Sequence, residues 1–70
     1  MRKTADSPPI RALRLKAAAQ YMSISPRQVR VLVQAGELPI VRLFDNNRSP
    51  WLLDVRDLDG LIERRKETLL

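Results

Sequence analysis

The sequence predicts a mainly α-helical fold with a small β-hairpin. Two stretches with apolar residues at helical spacing, 15–22 and 26–35, are separated by only three residues. An alternating stretch around a turn-rich loop follows, and a third stretch with helical spacing comes last. A chain of 70 residues is long enough for one domain. We therefore expect a flexible arm over residues 1–10 and a single folded domain over 11–70.

The first helix is predicted from Leu15 to Met22. Three consecutive alanines favour a helix here. Its apolar residues recur at three- and four-residue spacing and therefore share one face. These residues are Leu15, Ala18, Ala19 and Met22. Ser23 and Ile24 then form a brief break before the next helix.

The second helix has the sharpest start signal in the chain. Ser25 and Gln28 stand three residues apart, as in a capping box, and Pro26 occupies the first helical position, where its missing N–H costs nothing. The helix is expected to run to Ala35, since Gly36 favours a left-handed stop. Two helices this close together are typical of a helix-turn-helix, in which the second helix enters the major groove of DNA.

Beyond the second helix the spacing changes to two, which is typical of strands. Val41 and Leu43 form one alternating pair, and Trp51 and Leu53 form another. The loop between them, 45–50, is rich in Asp and Asn, which tolerate the positive φ of hairpin turns. We expect a two-stranded hairpin that acts as a wing.

A third helix is predicted from Val55 to about Thr68, with Asp54 as its cap. Acidic residues precede basic ones along it, as the helix dipole prefers. The residues expected on its buried face are Val55, Leu58, Leu61 and Ile62. The order of the elements therefore predicts a winged helix-turn-helix: two helices, a two-stranded wing and a C-terminal helix.

Composition argues against an enzyme. The chain contains neither His nor Cys, so it lacks the usual zinc ligands and the commonest general base. Asp57 and Asp59 do not form a catalytic pair, because residues two apart do not share a helix face. We expect no catalytic residue, no metal and no cofactor. Without a signal peptide or a long apolar run, we expect a cytoplasmic protein that does not contact membranes.

The charge is basic and unevenly distributed. Thirteen Lys and Arg residues oppose eight acidic ones, for a net charge of +5. Within 11–56 the bases outnumber the acids by eight to three, whereas within 57–70 three bases face four acids. A basic surface on the earlier part of the chain favours a nucleic-acid partner, although a positive charge also serves solubility alone.

Five segments of the chain match one known pattern. They are KAAAQYM at 16–22, SPRQVRVLVQAGELP at 25–39, VRL at 41–43, Trp51, and VRDLDGLI at 55–62. Together they make the stretch from Leu13 to Lys66 resemble the excisionase-type, MerR-like winged-helix domain. Two positions depart from the family pattern. Arg14 stands where members often have Thr or Ser as a cap, and Ser23 stands where they usually have Gly.

The resemblance implies a protein that binds double-stranded DNA, with the second helix in the major groove and the wing near the minor groove. Many such proteins are excisionases, or recombination directionality factors, which bend attachment-site DNA and direct a phage integrase toward excision. The expected partners are DNA, an integrase of the tyrosine or serine recombinase class, and further copies of the chain bound cooperatively. A small MerR-like transcription regulator is the alternative, and an adaptor that binds only protein is a third.

The residues expected to contact DNA form two groups. On the second helix they are Ser25, Arg27, Gln28, Arg30 and Val31. At the wing and along the DNA backbone they are Lys16, Arg42 and Arg48. Arginine side chains fit both phosphate and the guanine edge. Gln28 can instead close the capping box, and Arg48 can instead be a solvated loop residue. Tyr21 and Trp51 are expected in the core.

Overall fold

The computed structural model describes residues 10–46 and 48–69, so the arm expected over 1–10 lies outside it except for its last residue. The elements in chain order are strand β1 Ala12–Arg14, helix α1 Leu15–Met22, helix α2 Pro26–Gln34, strand β2 Leu52–Asp54 and helix α3 Val55–Arg64. Helix α1 is the central element, because it packs against both strands and both other helices.

The turn between α1 and α2 is built on one left-handed residue. Helix α1 begins at Leu15 and ends at Met22, as predicted, and Ser23 has φ 61° and ψ 39°. The amide of Ile24 then donates to the carbonyl of Ala19 over 2.9 Å. The chain reverses within three residues, and Ile24 packs against the core.

Helix α2 begins and ends at the predicted signals. The Ser25 side chain accepts from the Gln28 amide and the Gln28 side chain accepts from the Ser25 amide, so the capping box is complete. At the other end, Ala35 is the C-cap, and Gly36 has φ 82°, a conformation that strains any residue with a side chain. The chain then turns inward and buries Leu38 in the core.

The two-stranded sheet pairs distant parts of the chain. Strand β2 runs antiparallel to β1, and Leu13 lies opposite Leu53. Leu53 is fully buried, and Leu13 packs against the same core. Strand β1 was not predicted from the sequence, because three residues are too few to show alternation and their partner strand lies far along the chain.

The wing, defined here as residues 41–52, is a loop closed at its base by one bridge. Val41 and Leu52 exchange two hydrogen bonds of 2.7 and 3.2 Å. The pairing stops there, because Leu43 and Phe44 are exposed and have no core to alternate against. The strand predicted around Val41 is therefore reduced to a single bridged residue, and its predicted partner pairs mainly with β1.

Helix α3 begins at its predicted cap and ends earlier than predicted. The Asp54 carboxylate accepts a hydrogen bond of 2.9 Å from the Arg56 amide. The helix ends at Arg64 rather than near Thr68. Leu61 is its last buried residue, and the polar residues that follow have no apolar surface to hold a further turn against the core.

The core joins the three helices, β2 and the turn after α2. Its buried residues are Ala18, Ala19, Val29, Leu38, Leu53, Leu58 and Leu61. The prediction that Tyr21 belongs to it is wrong. Tyr21 is 47% exposed, and its hydroxyl donates to the Asp59 carboxylate on α3, a hydrogen bond that raises the pKa of the tyrosine. Three helices and a short antiparallel sheet with a wing confirm the predicted winged helix-turn-helix.

Candidate nucleic-acid interface

The outer face of α2 carries three of the residues predicted to contact DNA. Val29 is fully buried, so the helix turns its opposite side, with Arg27, Arg30 and Val31, toward solvent. Val31 is 55% exposed, which leaves its methyl groups accessible to a partner. No acidic residue lies in the first turn of α2. The positive end of the helix therefore adds to the charge of the arginines.

Ser25 and Gln28 combine a structural role with free hydrogen-bond donors. The Ser25 Oγ atom accepts from the Gln28 amide at 3.1 Å, and the Gln28 Oε1 atom accepts from the Ser25 amide at 2.9 Å. This geometry occupies acceptor sites only. The serine hydroxyl and the glutamine NH₂ group remain able to donate. Gln28 also borders, with Ile24, Val31 and Leu32, a shallow apolar depression beside α2.

Arg30 is held beside the wing by an aromatic ring. Its guanidinium carbon lies 5.8 Å from the centroid of the Trp51 ring, within the range of a cation–π interaction. Trp51 is half-buried rather than enclosed in the core. A guanidinium above a ring keeps the N–H donors at its edge available. The contact therefore positions Arg30 without using its hydrogen-bonding capacity.

One groove joins α1, α2 and the wing, and we call it the basic groove. Its lining residues are Arg14, Leu15 and Lys16 at the start of α1, Arg30 on α2, and Ser49, Pro50 and Trp51 in the wing. Two predicted DNA contacts, Lys16 and Arg30, thus share a surface although they come from different helices. Sequence analysis missed Arg14 and Ser49 as lining residues. Arg14 could have been found from the sequence, because it directly precedes the predicted start of α1. No signal in the sequence marks Ser49.

The two arginines predicted for the wing lie outside the lining of the basic groove. Arg48 directly precedes Ser49, and its amide donates to the Asn46 side chain over 2.9 Å, which stabilises the turn. Arg42 follows the bridge residue Val41. Both arginine side chains are exposed, so the wing presents two positive charges to solvent.

The predicted contact residues keep their charges free of carboxylates. Among residues 10–46 and 48–69, the ion pairs are Arg11 with Asp54, Arg65 with Glu37, and Lys66 with Glu63. None of these pairs includes any of the five predicted cationic contacts. The positive charge of those five side chains therefore remains available to an anionic partner.

Metal-binding clusters and membrane-spanning helices are absent from the part of the chain that the structure describes. No three acidic side chains there are close enough together to hold a metal ion. None of its helices has the length and apolar character needed to cross a bilayer.

A three-helix core with an exposed basic second helix beside a basic wing defines the winged helix-turn-helix class of DNA-binding domains. A family model described as a helix-turn-helix domain matches residues 12–66, which is most of the chain. The chain therefore belongs to this helix-turn-helix family, a DNA-binding domain that is found in excisionase-like proteins. Comparisons with curated proteins and with solved structures find no match.

Proposed function

We propose that the chain is an excisionase, which binds and bends attachment-site DNA and thereby directs a phage-type integrase toward excision. The observation that carries the proposal is the convergence of unpaired cations on one surface. Lys16 from α1 and Arg30 from α2 line one groove. Arg48 of the wing directly precedes Ser49, which lines the same groove. Duplex DNA is the polyanion that such a surface fits. The chain supplies binding and bending, and strand exchange belongs to the integrase.

In this proposal α2 enters the major groove with its exposed face toward the base edges. Arg27 and Arg30 project from successive turns, and each can form a bidentate pair with guanine, which gives about 1–3 kcal/mol of discrimination. Val31 can contact a thymine methyl group. The Trp51 ring restricts Arg30 before binding, so less conformational entropy is lost when the arginine contacts DNA.

Lys16, Arg42 and Arg48 are assigned to the DNA backbone and the minor groove. The leading helix of this motif crosses the backbone, which suits Lys16 near the start of α1. Arg48 lies in the wing, and a narrow minor groove attracts a positive side chain. Contacts to the backbone carry no sequence information, but they fix the register of the domain on the duplex.

Bending requires more than one copy of the chain. Smooth bending of about 20–30 base pairs costs about 1–6 kcal/mol, and one small domain offers only a few cations to offset that cost. Copies bound side by side share the cost and hold the curvature between them. Cooperative binding along DNA and a contact with the integrase therefore belong to the proposal.

An excision assay with the cognate integrase tests this function. The recombined product is measured without the chain, with the wild-type chain, and with the Arg30→Ala and Arg56→Ala variants. Arg56 is the matched control, because it is exposed and lies outside the basic groove. We expect excision to require the chain, to fall strongly with Arg30→Ala and to persist with Arg56→Ala.

Each alternative function predicts a different result in these experiments. Excision that proceeds equally well without the chain would contradict the directionality role. Binding to promoter DNA with a change in transcription, and no effect on excision, would identify a small MerR-like regulator. A chain that binds no duplex at any salt concentration would be an adaptor that contacts only protein.

A further inference from the structure

We propose that the start of α1 and the facing wall of the wing form a binding pocket for one phosphodiester group of the DNA backbone. The pocket is the part of the basic groove lined by Arg14, Lys16 and Ser49. The inference rests on the proposed DNA-binding function and adds the position of one particular contact. Arg14 and Ser49 are not among the residues that sequence analysis assigned to DNA.

The start of α1 has no internal cap. The first amides of an α-helix lack partners within the helix, and a Ser, Thr, Asp or Asn side chain commonly accepts from them. Here the N-cap residue is Arg14, whose side chain makes no capping hydrogen bond and has no acceptor atom. The first turn also contains no acidic residue. The positive end of the helix is therefore open to an external anion.

Ser49, in the wing, provides independent evidence. It is 8% exposed, it lines the basic groove, and its Oγ atom is buried without a hydrogen-bond partner among the residues described. Buried polar groups in folded proteins nearly always have a hydrogen-bond partner, from the protein, from ordered water or from a bound ion. A serine hydroxyl can donate as well as accept, so an oxygen atom of a ligand within reach would satisfy it.

The charges and the apolar surface of the groove fit a phosphodiester. Arg14, Lys16 and Arg30 are exposed, and none of them belongs to the ion pairs of the described residues. The helix amides and the Ser49 hydroxyl are hydrogen-bond donors, and the free oxygens of a phosphodiester are acceptors. Pro50 and Trp51 add apolar surface to the same groove, which suits the deoxyribose beside the phosphate and would be unused by a free phosphate ion.

The pocket gives α1 and the wing a common ligand. A phosphate held between them would anchor the DNA strand next to Arg30, since Arg30 lines the same groove. The anchor would set how deeply α2 enters the major groove and which base pairs its arginines reach. Binding at this point is therefore expected to affect all sequences alike.

An amide chemical-shift titration of the isotope-labelled full chain tests the location of the contact. The probes are a short DNA duplex, inorganic phosphate, and sodium chloride as the ionic-strength control. We expect the duplex to shift the amides of 15–17 and Ser49 together with those of α2, at much lower concentration than inorganic phosphate. Saturation of these amides by inorganic phosphate, without a response to the duplex, would overturn the assignment to a DNA phosphodiester.

Two pairs of variants test the residues of the pocket. Ser49→Ala removes an unpartnered hydroxyl, so the fold is retained, and duplex affinity is expected to fall about tenfold. Ser23→Ala, an exposed serine outside the groove, should bind like the wild type. Arg14→Gln should make the dependence of log affinity on log salt shallower by about one unit of slope. Arg56→Gln should leave that slope unchanged.

The outcomes separate this pocket from the proposed function as a whole. Suppose that the duplex shifts the amide signals of α2 and the wing but not those of 15–17, and that Ser49→Ala binds like the wild type. The proposed phosphodiester pocket is then wrong, and DNA binding by the chain stands. If the duplex shifts no amide, the pocket and the proposed function both fail.

Discussion

Arg30 shows at the scale of one residue what the sequence could and could not predict. Helical phase indicates which side chains of α2 point outward, so Arg30 was predicted as a DNA contact from the sequence. The contact between Arg30 and Trp51 was not predicted, because the two residues lie far apart in the sequence and no local pattern links them. Ser49 was missed for the same reason. A serine in a polar loop gives no sign that its hydroxyl is buried.

Replacement of Arg30 tests the direct reading of bases. Arg30→Ala is expected to cost about 1–3 kcal/mol of binding free energy on the preferred sequence and to relax the preference at one base pair. The measurement is duplex affinity by fluorescence anisotropy, over a panel of duplexes that each differ at one base pair. Arg56→Ala serves as the control and should keep the full preference. A variant that discriminates across the panel as the wild type does would show that Arg30 contacts only phosphate.

Ser23 carries backbone strain that a glycine would relieve. Its φ of 61° lies in the left-handed region, which disfavours residues with a Cβ atom. We expect Ser23→Gly to raise the free energy of unfolding by about 0.5–1 kcal/mol, measured by urea denaturation. Ser23→Ala keeps the Cβ atom and should give no gain. Equal stability of the serine and glycine forms would mean that the turn is not strained.

At the scale of the elements, local signals explain the successes and long-range packing explains the errors. The boundaries of α1 and the start of α2 follow from an apolar stripe and from a capping box within a few residues. Strand β1 was missed because it has only three residues and its partner β2 lies far along the chain. Helix α3 was predicted too long because its polar end has adequate helix propensity, whereas the position of the last buried residue, Leu61, decides where it stops.

The two glycines of the chain should respond in opposite ways to alanine. Gly60 lies inside α3, and an added Cβ atom would meet only the Arg64 side chain, at an ordinary contact distance of 3.5 Å. We expect Gly60→Ala to stabilise the fold by about 0.5–1 kcal/mol. Gly36→Ala should destabilise it, because Gly36 has φ 82°. Urea denaturation of both variants measures the difference, and a loss of stability with Gly60→Ala would contradict the helical packing described here.

The cap of α3 makes stability depend on pH. The Arg11 guanidinium and the Arg56 amide bond to the Asp54 carboxylate and lower its pKa from the ordinary value of 3.8. A pKa lowered by folding gives stability that is present above the unfolded pKa and is lost as pH falls through the folded one. We expect the wild type to be more stable than Asp54→Asn at neutral pH, and the gap to close as the pH falls below the ordinary pKa of 3.8 and through the lowered pKa of the folded state. If the difference in free energy of unfolding between the two proteins stayed constant over that range, the charge of Asp54 would contribute no stability.

At the scale of the whole molecule, the cations that the structure describes fall into two groups, those that pair with carboxylates and those that do not. The cations that pair with carboxylates, Arg11, Arg65 and Lys66, lie outside the predicted interface. The cations of α2, the wing and the start of α1 have no such partner among the described residues. Three of these cations, Arg14, Lys16 and Arg30, line the basic groove together. A surface of this kind should bind DNA with a strong dependence on salt.

Duplex affinity as a function of salt tests whether the unpaired cations bind the phosphates of DNA. We expect log affinity to fall linearly with log salt between about 50 and about 200 mM, and the slope to become shallower by about one with Lys16→Ala. Lys66→Ala is the matched control, because the Lys66 ammonium already pairs with Glu63 over 2.9 Å, and it should leave the slope unchanged. An affinity that does not change with salt, or the same slope for both lysine variants, would mean that Lys16 does not bind a DNA phosphate.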